Sequence, residues 1–485
     1  MANNKFYITT SIPYVNGNPH LGHVLEYVQA DVIARYMRSS GKDVFFSTGT
    51  DENSLKNVLA AEKEGITTKD LVDRNSAKFL DTIKKLNISN DCFIRTTEDK
   101  HIGGAEKLWN SCKKEDIYKK QYSGKYCVGC ETFVTEKDLI EGKCPEHDCE
   151  PEIVEEENYF FKLTNYQKQL EDIIDNDKIK IYPESRKNEV LNFIKSGLED
   201  FSISRSVKRA KGWGIKTPGD DAQIIYVWFD ALINYITVLD YVDDGELYKK
   251  YWPAELHCIG KNITRFHAVY WPAMLLSAGI KLPKAIFVHG FINAVGGQKM
   301  SKTLGNVIDP PEIISRYGAD ALRYYLLREI PTFKDGDFSW ERFDICYNEL
   351  ANGLGNLVSR VTNIAEKNNI GFVDVLLKVE PEDENLSNDK LYGYLDSYQL
   401  DKALEIVRNQ ISNCNLIVAT EKPWEMKENK EELILKINIY LNQIKNIGIN
   451  LSPFMPETSE KILKIFNGEK IVKAEPLFPK NKEIK

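Results

Sequence analysis

The chain opens with a strand, a turn and a helix in immediate succession, and this arrangement constrains the fold more than any other stretch. β-Branched and aromatic residues predict a strand over Lys5–Thr10, and the turn-rich segment Pro13–Pro19 follows. After His20, apolar residues recur at the spacing of one buried helical face: Leu21, Val24, Leu25, Val28, Val32 and Tyr36. Unpaired amides and the dipole of this helix would point at the turn, so the sequence predicts an anion site there.

Two pairs of cationic or hydrogen-bonding side chains fit such an anion. His20 and His23 lie three residues apart in the first helical turn and therefore share one face, from which they can donate to phosphate oxygens. Unliganded surface histidines are the competing interpretation. The glycine-rich segment Gly296–Gly305 carries Lys299 and Lys302, whose amines could reach a polyphosphate, although lysine- and serine-rich loops are usually only solvated.

Strand-like and helical segments alternate along the first 290 residues. This pattern predicts an α/β fold of the doubly wound, Rossmann type, whose parallel sheet binds ligands at the carboxyl ends of its strands. After the first strand, the predicted strands are Asp43–Gly49, Ala222–Trp228, Leu256–Gly260 and Lys284–Gly290. Asp51 follows the second strand, where its carboxylate would face the ligand crevice; the alternative is a helix N-cap ahead of Ser54.

A segment rich in Gly, Cys, Lys and Glu interrupts the sheet between about Tyr118 and Glu157. Its soft ligands are Cys127, Cys130, Cys144 and His147, and two close pairs at this spacing predict one tetrahedral Zn²⁺. Cys149 competes with His147 for the fourth position. Four protein ligands leave no place for a water molecule, so we expect a structural metal rather than a catalytic one.

Length and composition limit the remaining possibilities. A chain of 485 residues predicts two to four domains, and 28% charged residues with a net charge of −8 are ordinary for a globular protein. The N-terminus lacks the features of a signal or transit peptide, no run of about 18 apolar residues exists, and clustered cysteines are typical of a reducing compartment. We therefore expect a cytoplasmic protein.

Strand-like segments end near Glu341, and the remainder predicts an all-α bundle. One helix is expected over Asn348–Lys367, with further helical pattern over Leu391–Val418 and Glu431–Ile465 and a loop over Val373–Asp389. The predicted organisation is then a first half of the sheet domain (1–116), a zinc-bearing insertion (117–195), a second half of the sheet domain (196–290), a segment with the lysine loop (291–345) and the helical bundle (346–485).

The motifs HLGH and KMSKT, in this order, resemble the two signatures of the class I aminoacyl-tRNA synthetases. The surrounding sequences PYVNGNPHLGH, TGTDENS, YVWFDA, GKNITRFHAVYWPAML, FVHGF and NGLGNLVSR are similar to those of the methionyl-tRNA synthetase family. The similarity extends from Tyr7 to beyond Trp424. It implies activation of L-methionine by ATP with Mg²⁺, followed by transfer to the 2′-hydroxyl of the terminal adenosine of tRNA(Met).

The resemblance also assigns the nucleotide site. It implies catalytic roles for His20, His23, Lys299 and Lys302, and ATP contacts for these four together with Gly22, Gly260, Asn262 and Ser301. The family usually has an aspartate where this chain has Asn262. An amide still hydrogen-bonds a ribose hydroxyl, but without charge assistance, so we expect weaker ATP binding.

Two further sets of residues match family positions. The methionine site would consist of Asp51, which holds the α-ammonium, together with Ile12, Tyr14, Trp228, Ala231, Tyr235, Ile263, Phe266 and His267. Anticodon contacts would come from Asn356, Arg360 and Trp424; without the resemblance, a solvated arginine and a core tryptophan are the simpler interpretations. The sequence ends soon after its last helix, before the dimerisation module of some family members, which favours a monomer.

Other functions have specific difficulties. A synthetase for leucine, isoleucine or valine would carry a large editing insertion, and a cysteine-specific relative would place zinc in its active site. A small nucleotidyltransferase would need neither the cysteine-rich insertion nor the helical bundle. An RNA-binding module with an inactive core would not need His20, His23, Lys299 and Lys302.

Overall fold

The computed structural model describes residues 4–129, 131–134, 136, 139–145, 149–297, 308–374, 383–426 and 429–479. The chain forms two compact units. The first unit comprises Met1–Pro19, Gly41–Thr82 and Ser89–His289, and the second comprises His20–Ser40, Ile83–Ile88 and Gly290–Lys485. Among the described helices, none is long and apolar enough to cross a membrane.

The elements follow in chain order. The strands are β1 Lys5–Thr10, β2 Asp43–Thr50, β3 Cys92–Arg95, β4 Ile117–Cys127, β5 Thr132–Val134, β6 Glu152–Phe161, β7 Lys180–Tyr182, β8 Phe201–Ser202, β9 Ser204–Ser206, β10 Lys216–Thr217, β11 Asp220–Ile225, β12 Leu256–Gly260, β13 Ala285–His289, β14 Ile292–Ala294 and β15 Gly336–Phe338. The α-helices are α1 Leu21–Ser39, α2 Leu55–Glu64, α3 Thr68–Lys85, α4 Asp99–Ser111, α5 Gln167–Asp175, α6 Glu184–Lys195, α7 Val227–Ala231, α8 Asn234–Thr237, α9 Glu246–Tyr251, α10 Trp271–Ser277, α11 Pro310–Tyr317, α12 Ala319–Glu329, α13 Trp340–Glu349, α14 Asn356–Lys367, α15 Asn388–Asp396, α16 Leu400–Glu421, α17 Lys430–Leu451 and α18 Pro456–Lys464.

A six-stranded parallel sheet in the order β3–β2–β1–β12–β13–β7 forms the centre of the first unit. β1, β12 and β13 are buried along their whole length, as expected of strands covered on both faces. The chain order reverses between β1 and β12, and ligands of doubly wound sheets bind at such a switch point. The predicted parallel α/β fold is therefore confirmed, and β1 and β12 have the predicted bounds.

The predicted strand over Ala222–Trp228 is wrong in its partners and its end. The observed strand, β11, lies in a separate antiparallel sheet between β10 and β9, and helix α7 begins at Val227. An apolar run indicates burial of a strand, but it carries no information about which strand pairs with it. The central sheet is completed instead by the short strands β3 and β7.

The cysteine-rich segment is built on an antiparallel sheet in the order β5–β4–β6–β8. β4 and β6 form its longest ladder, from the pair Ile117 and Phe161 to the pair Tyr126 and Glu152. Three strands of this sheet lie within the segment predicted as an insertion over 117–195, and β8 lies just beyond it. The predicted insertion also supplies β7, which extends the central sheet beside β13.

The segment predicted as one helix over Asn262–Ser277 is not uniform. It consists of a 3₁₀ turn over Lys261–Ile263, a π-helical turn over Phe266–Tyr270 and then α10. Wider π turns shift the side chains that follow them and often occur at functional sites. Phe266 and His267 both lie on this turn.

Helices dominate the second unit, as the sequence predicts. The predicted apolar face of α1 is buried, and so are Leu350, Leu354, Leu357, Val361 and Ile364 on the predicted helix near α14. The segment Leu350–Gly355 is a π-helical turn between α13 and α14. Arg323 of α12 is fully buried; its guanidinium forms an ion pair with Asp31 of α1 at 2.7 Å and donates to the carbonyl oxygen of Phe454 at 2.8 Å.

Candidate active site

The two predicted histidines cap α1. His20 is the N-cap residue in an extended conformation, and its Nδ1 accepts a hydrogen bond from the Gly22 amide at 3.1 Å. The Nδ1 of His23 accepts from the His20 amide at 3.3 Å, which completes a capping box made of imidazoles. The structure therefore brings together His20, Gly22 and His23 at a helix N-terminus, as predicted.

The orientation of the two rings determines what they can donate. They stack with centroids 3.6 Å apart and an interplanar angle of 18°. With each Nδ1 acting as an acceptor, a neutral imidazole carries its proton on Nε2, where it can donate to an anion. A Cβ atom at Gly22 would lie 3.0 Å from Cε1 of His20, so the absence of a side chain permits this packing.

Aromatic rings gather beyond the carboxyl ends of the central strands in the first unit. Trp228 and Phe266 stack with centroids 3.8 Å apart and an angle of 7°, and Tyr14 approaches Trp228 edge-on at 6.4 Å. The Tyr14 hydroxyl and the Trp228 Nε1 are buried without a hydrogen-bond partner among the described residues. Ala231 lies on α7, the helix that carries Trp228.

The side chains of Tyr235 and His267 form a hydrogen bond with each other. Both are about 1% exposed. The Tyr235 hydroxyl is 2.7 Å from His267 Nε2, and His267 Nδ1 is 2.9 Å from the Ile263 carbonyl oxygen. Because a carbonyl only accepts, Nδ1 carries the proton and the neutral ring accepts the Tyr235 hydroxyl at Nε2. This pairing holds π-turn residue His267 in a fixed tautomer.

Asp51 is a buried carboxylate with an unfavourable electrostatic environment. It follows β2, forms a bridge to Tyr14, and is 3% exposed. Burial raises the pKa of Asp51 well above its usual value, and the charges of Asp230, Glu131 and Glu52 raise it further. The N-cap of α2 is Ser54, whose side chain accepts from the Lys56 amide, so the alternative role of Asp51 as a helix cap is wrong.

The structure describes only some of the residues that are predicted to contact the nucleotide. Gly260 ends β12, and a Cβ atom there would lie 3.1 Å from the Asn262 Oδ1. Asn262 is exposed, so its amide is accessible to a ligand at this strand end. Lys299, Ser301 and Lys302 lie outside the described residues.

Two of the three described thiols of the insertion approach one another. The Sγ atoms of Cys127 and Cys149 are 3.9 Å apart, and the Cys144 amide donates to the Cys149 carbonyl at 2.9 Å. Cys130 and His147 lie outside the described residues. Within the described part of the chain, no group of three or more His, Cys, Asp or Glu side chains is arranged to hold a metal ion.

The predicted anticodon residues lie on helical elements of the second unit. Asn356 begins α14 and is exposed, and Trp424 is 41% exposed, which excludes the interpretation of Trp424 as a core residue. The Arg360 guanidinium lies 5.7 Å from the Trp424 ring centroid and donates to Asn415 Oδ1 at 3.4 Å. The Arg360 side chain is therefore held by contacts with Trp424 and Asn415 and is not simply solvated.

Comparison with known families decides among the possible enzymes. The family model for tRNA synthetases class I (M) matches residues 6–152 and 147–362. The chain belongs to the class I tRNA synthetases. The model for the anticodon-binding domain of tRNA ligases matches residues 387–485, in the helical part of the chain.

Individual relatives agree with this membership over nearly the whole chain. The synthetase is 42% identical to a methionine–tRNA ligase of Clostridium perfringens, covering 99% of this chain and 78% of that one. It is 41% identical to a methionine–tRNA ligase of Brucella suis, covering 96% and 92%. Mycobacterium tuberculosis methionyl-tRNA synthetase in complex with methionyl-adenylate has a similar structure, with a TM-score of 0.91 and 36% identity over 98% of this chain and 100% of that one.

Sequence reasoning missed a buried polar network next to Asp51 of this synthetase. Asn53 Nδ2 donates to Asp230 Oδ2 at 2.7 Å, and the opposite oxygen of Asp230 is 2.6 Å from His101 Nε2. Asp230 and His101 are fully buried. Asn53 and Asp230 lie within the family-like sequences TGTDENS and YVWFDA, which could have indicated them, whereas nothing in the sequence pairs His101 with either residue.

The sequence motifs also gave no indication of a role for Glu131. It is 1% exposed, and its Oε1 accepts from the Ser54 hydroxyl at 2.9 Å and from the Lys56 amide at 3.0 Å. This carboxylate thereby joins the insertion to the start of α2, and its charge contributes to the raised pKa of Asp51.

Proposed function

We propose that the chain is a methionine–tRNA ligase, which forms methionyl-adenylate and pyrophosphate from L-methionine and ATP and then charges tRNA(Met). The observation that carries this proposal is the buried carboxylate of Asp51 beside the aromatic cluster of Tyr14, Trp228 and Phe266. The ionised form of such a carboxylate is stabilised by a cation, and the α-ammonium of an amino acid supplies one.

The aromatic cluster explains why the protein would select the methionine side chain among amino-acid substrates. The proposed methionine pocket consists of Ile12, Tyr14, Asp51, Trp228, Ala231, Tyr235, Ile263, Phe266 and His267. Thioether sulfur makes favourable contacts with aromatic rings, of about 0.3–1.5 kcal/mol each. Tyr235 and His267 bond to each other, so their contribution is to shape the pocket rather than to donate a proton to sulfur.

The methionine carboxylate attacks the α-phosphorus of ATP, and pyrophosphate leaves. Charge accumulates on phosphate oxygens, so the protein needs hydrogen-bond donors and cations that are already in position. We assign the α-phosphate region to His20 and His23, with Gly22, whose amide donates to His20 and whose lack of a side chain leaves room at the helix start. Lys299 and Lys302, with Ser301, would engage the β- and γ-phosphates that bind Mg²⁺, while Gly260 and Asn262 would contact the adenosine.

In the second step the terminal adenosine of tRNA attacks the adenylate carbonyl through its 2′-hydroxyl, and AMP leaves. We assign anticodon recognition to Asn356, Arg360 and Trp424. An exposed tryptophan ring can stack on an unpaired base, and amide and guanidinium groups can read its edge. The Arg360 guanidinium, 5.7 Å from the centroid of the exposed Trp424 ring, supports this role.

The cysteine-rich insertion fits a structural Zn²⁺. At a zinc–sulfur distance of about 2.3 Å, tetrahedral geometry separates two thiolate sulfurs by about 3.8 Å, close to the separation of Cys127 and Cys149. We propose Cys127, Cys130 and Cys144 as ligands with His147 as the fourth; the short distance from Cys127 to Cys149 supports Cys149 as its rival. Bound zinc would fix the insertion loop and perform no step of the reaction.

The domain division 1–116, 117–195, 196–290, 291–345 and 346–485 is part of this proposal. So are a cytoplasmic location, which suits both zinc thiolates and protein synthesis, and a monomeric state. Light scattering tests the last of these, because a mass near twice 55.6 kDa would contradict it.

Amino-acid-dependent exchange of pyrophosphate into ATP tests the activation step, and charging of purified tRNA tests the transfer. We expect exchange with methionine and charging of tRNA(Met). Exchange with leucine or cysteine but not with methionine would show that the substrate is that other amino acid. Exchange without charging would indicate a nucleotidyltransferase, and the absence of both would leave an RNA-binding protein.

A further inference from the structure

We propose that His101 is a positioning residue for amino-acid activation, which acts through Asp230 to hold the loop of Asp51 and the helix of Trp228. This inference rests on the proposed function and deepens it, because none of the motifs that indicate the function includes His101. It assigns a role in methionine binding to a side chain on α4, which contributes no other residue to the pocket.

A continuous line of hydrogen bonds, buried at its His101 end, connects His101 to Asp51. His101 Nδ1 is 2.9 Å from Thr237 Oγ1 and its Nε2 is 2.6 Å from Asp230 Oδ1. Asp230 Oδ2 accepts from Asn53 Nδ2 at 2.7 Å, and the Asn53 amide donates to Asp51 Oδ1 at 3.3 Å. All five residues belong to the first unit, and His101, Asp230 and Thr237 are fully buried.

The imidazole is held by both of its nitrogens. Thr237 is itself fixed on α8, where its hydroxyl also lies 3.4 Å from the Asn234 carbonyl. Gly104 lies three residues after His101 on α4, and a Cβ atom there would be only 2.0 Å from Thr237 Cγ2. The glycine allows α4 to approach α8 closely enough for His101 to contact Thr237 and Asp230 together.

Asp230 has two tasks that depend on its orientation. It lies on α7 between Trp228 and Ala231, so its side chain anchors the short helix that bears these pocket residues. It also fixes the Asn53 side chain, which donates in addition to the Thr96 carbonyl at 3.2 Å. Without His101, a buried carboxylate would lose one of its two donors and would turn or bind water.

The charge of Asp230 makes its orientation important for methionine. Asp230 and Asp51 are buried anions of the same site, and a donor that holds the Asp230 oxygen disperses charge which otherwise opposes ionised Asp51. The substrate ammonium requires Asp51 to be ionised and correctly placed. A change at His101 should therefore act on methionine binding far more than on ATP binding.

Steady-state pyrophosphate exchange with the full chain tests the proposal in three variants. His101→Phe keeps a ring but removes both nitrogens, His101→Gln places an amide donor near Asp230, and Thr237→Val removes the hydroxyl that holds the imidazole. Thr82→Val is the matched control, because Thr82 is equally buried but its hydroxyl, among the described residues, donates to the Lys78 carbonyl alone.

We expect His101→Phe to raise KM for methionine at least about tenfold, the effect of leaving a buried polar partner unsatisfied, with KM for ATP changed less than twofold. Thr237→Val should raise KM for methionine about threefold, a loss typical of one hydrogen bond. His101→Gln should keep KM for methionine within about threefold of wild type. Thr82→Val should change neither constant.

Other outcomes overturn the proposal. Equal changes in both KM values, a loss of kcat alone, or no rescue by glutamine would show that His101 serves only the general fold. If His101→Phe does not fold, an unchanged methionine KM in Thr237→Val is sufficient to reject the proposal. Failure of the proposed function is distinguishable, because the wild-type chain would then show no methionine-dependent exchange.

Discussion

Replacement of Asp51 by asparagine should have opposite effects on activity and on stability. The carboxylate is 3% exposed, and its substrate ammonium would be bound in the same dehydrated site. Removing one partner of a buried ion pair costs about 3–5 kcal/mol, so we expect Asp51→Asn to lower kcat/KM for methionine by about two to three and a half orders of magnitude.

The ligand-free protein should become more stable in the same variant. Burial, with the charges of Asp230, Glu131 and Glu52, raises the pKa of Asp51 in the folded state. An acid with a raised folded pKa destabilises the fold at every pH where it is ionised, and this penalty disappears as the pH falls towards its unfolded value near 4. Each kcal/mol of relief should raise Tm by roughly 2 °C.

Differential scanning calorimetry and pyrophosphate exchange measure the two effects. The Tm advantage of Asp51→Asn should be larger at neutral pH than near the unfolded pKa of about 4 and should shrink on acidification, and added methionine should stabilise wild type but not the variant. Asp116→Asn is the control. Burial of Asp116 is outweighed by hydrogen bonds from Tyr166, Asn165 and Ser277, which lower its pKa, so this variant should lose stability and keep its methionine KM.

An unchanged methionine KM in Asp51→Asn would refute the assignment of the ammonium site. A fall in its Tm at neutral pH would refute the electrostatic reasoning, because it would mean that the ionised carboxylate stabilises the empty protein.

Three further predictions concern the other sites. Asn262→Asp should lower KM for ATP about two- to fivefold, because a charged acceptor strengthens the ribose hydrogen bond; a higher KM would contradict this. Trp424→Ala should raise KM for tRNA about tenfold or more in charging assays without affecting exchange, since one base stack is lost; an unchanged KM for tRNA would contradict this. Cys127→Ser should abolish bound zinc in elemental analysis, and comparison of His147→Ala with Cys149→Ala identifies the fourth ligand as the one whose loss releases metal.

Hydrophobic periodicity and turn-forming residues were sufficient to predict the long strands and helices. β1, β12 and the buried face of α1 could be predicted because each has a long, regular pattern with a clear turn beside it. β3 and β7 have only four and three residues, too few for a pattern, although both are needed to complete the sheet. The π turn at Phe266 could not be predicted either, since an i+4 and an i+5 pattern differ little over five residues.

The candidate site shows a similar division. His20, Asp51 and Trp228 lie within contiguous motifs, and the residue types at those positions indicate their chemistry. The partnership of His101 with Asp230 spans 129 residues and depends on how two helices pack, which no local pattern encodes. The same limit applies to Tyr235 and His267, whose mutual hydrogen bond changes the role that each residue type alone would suggest.

Competition among amino acids tests whether the site selects methionine. The chain is incubated with ATP, Mg²⁺ and an equimolar mixture of the twenty amino acids, and the adenylate it retains is identified by mass spectrometry. The buried carboxylate beside stacked aromatic rings requires methionyl-adenylate to predominate. Retention of another aminoacyl-adenylate, or of none, would contradict the account.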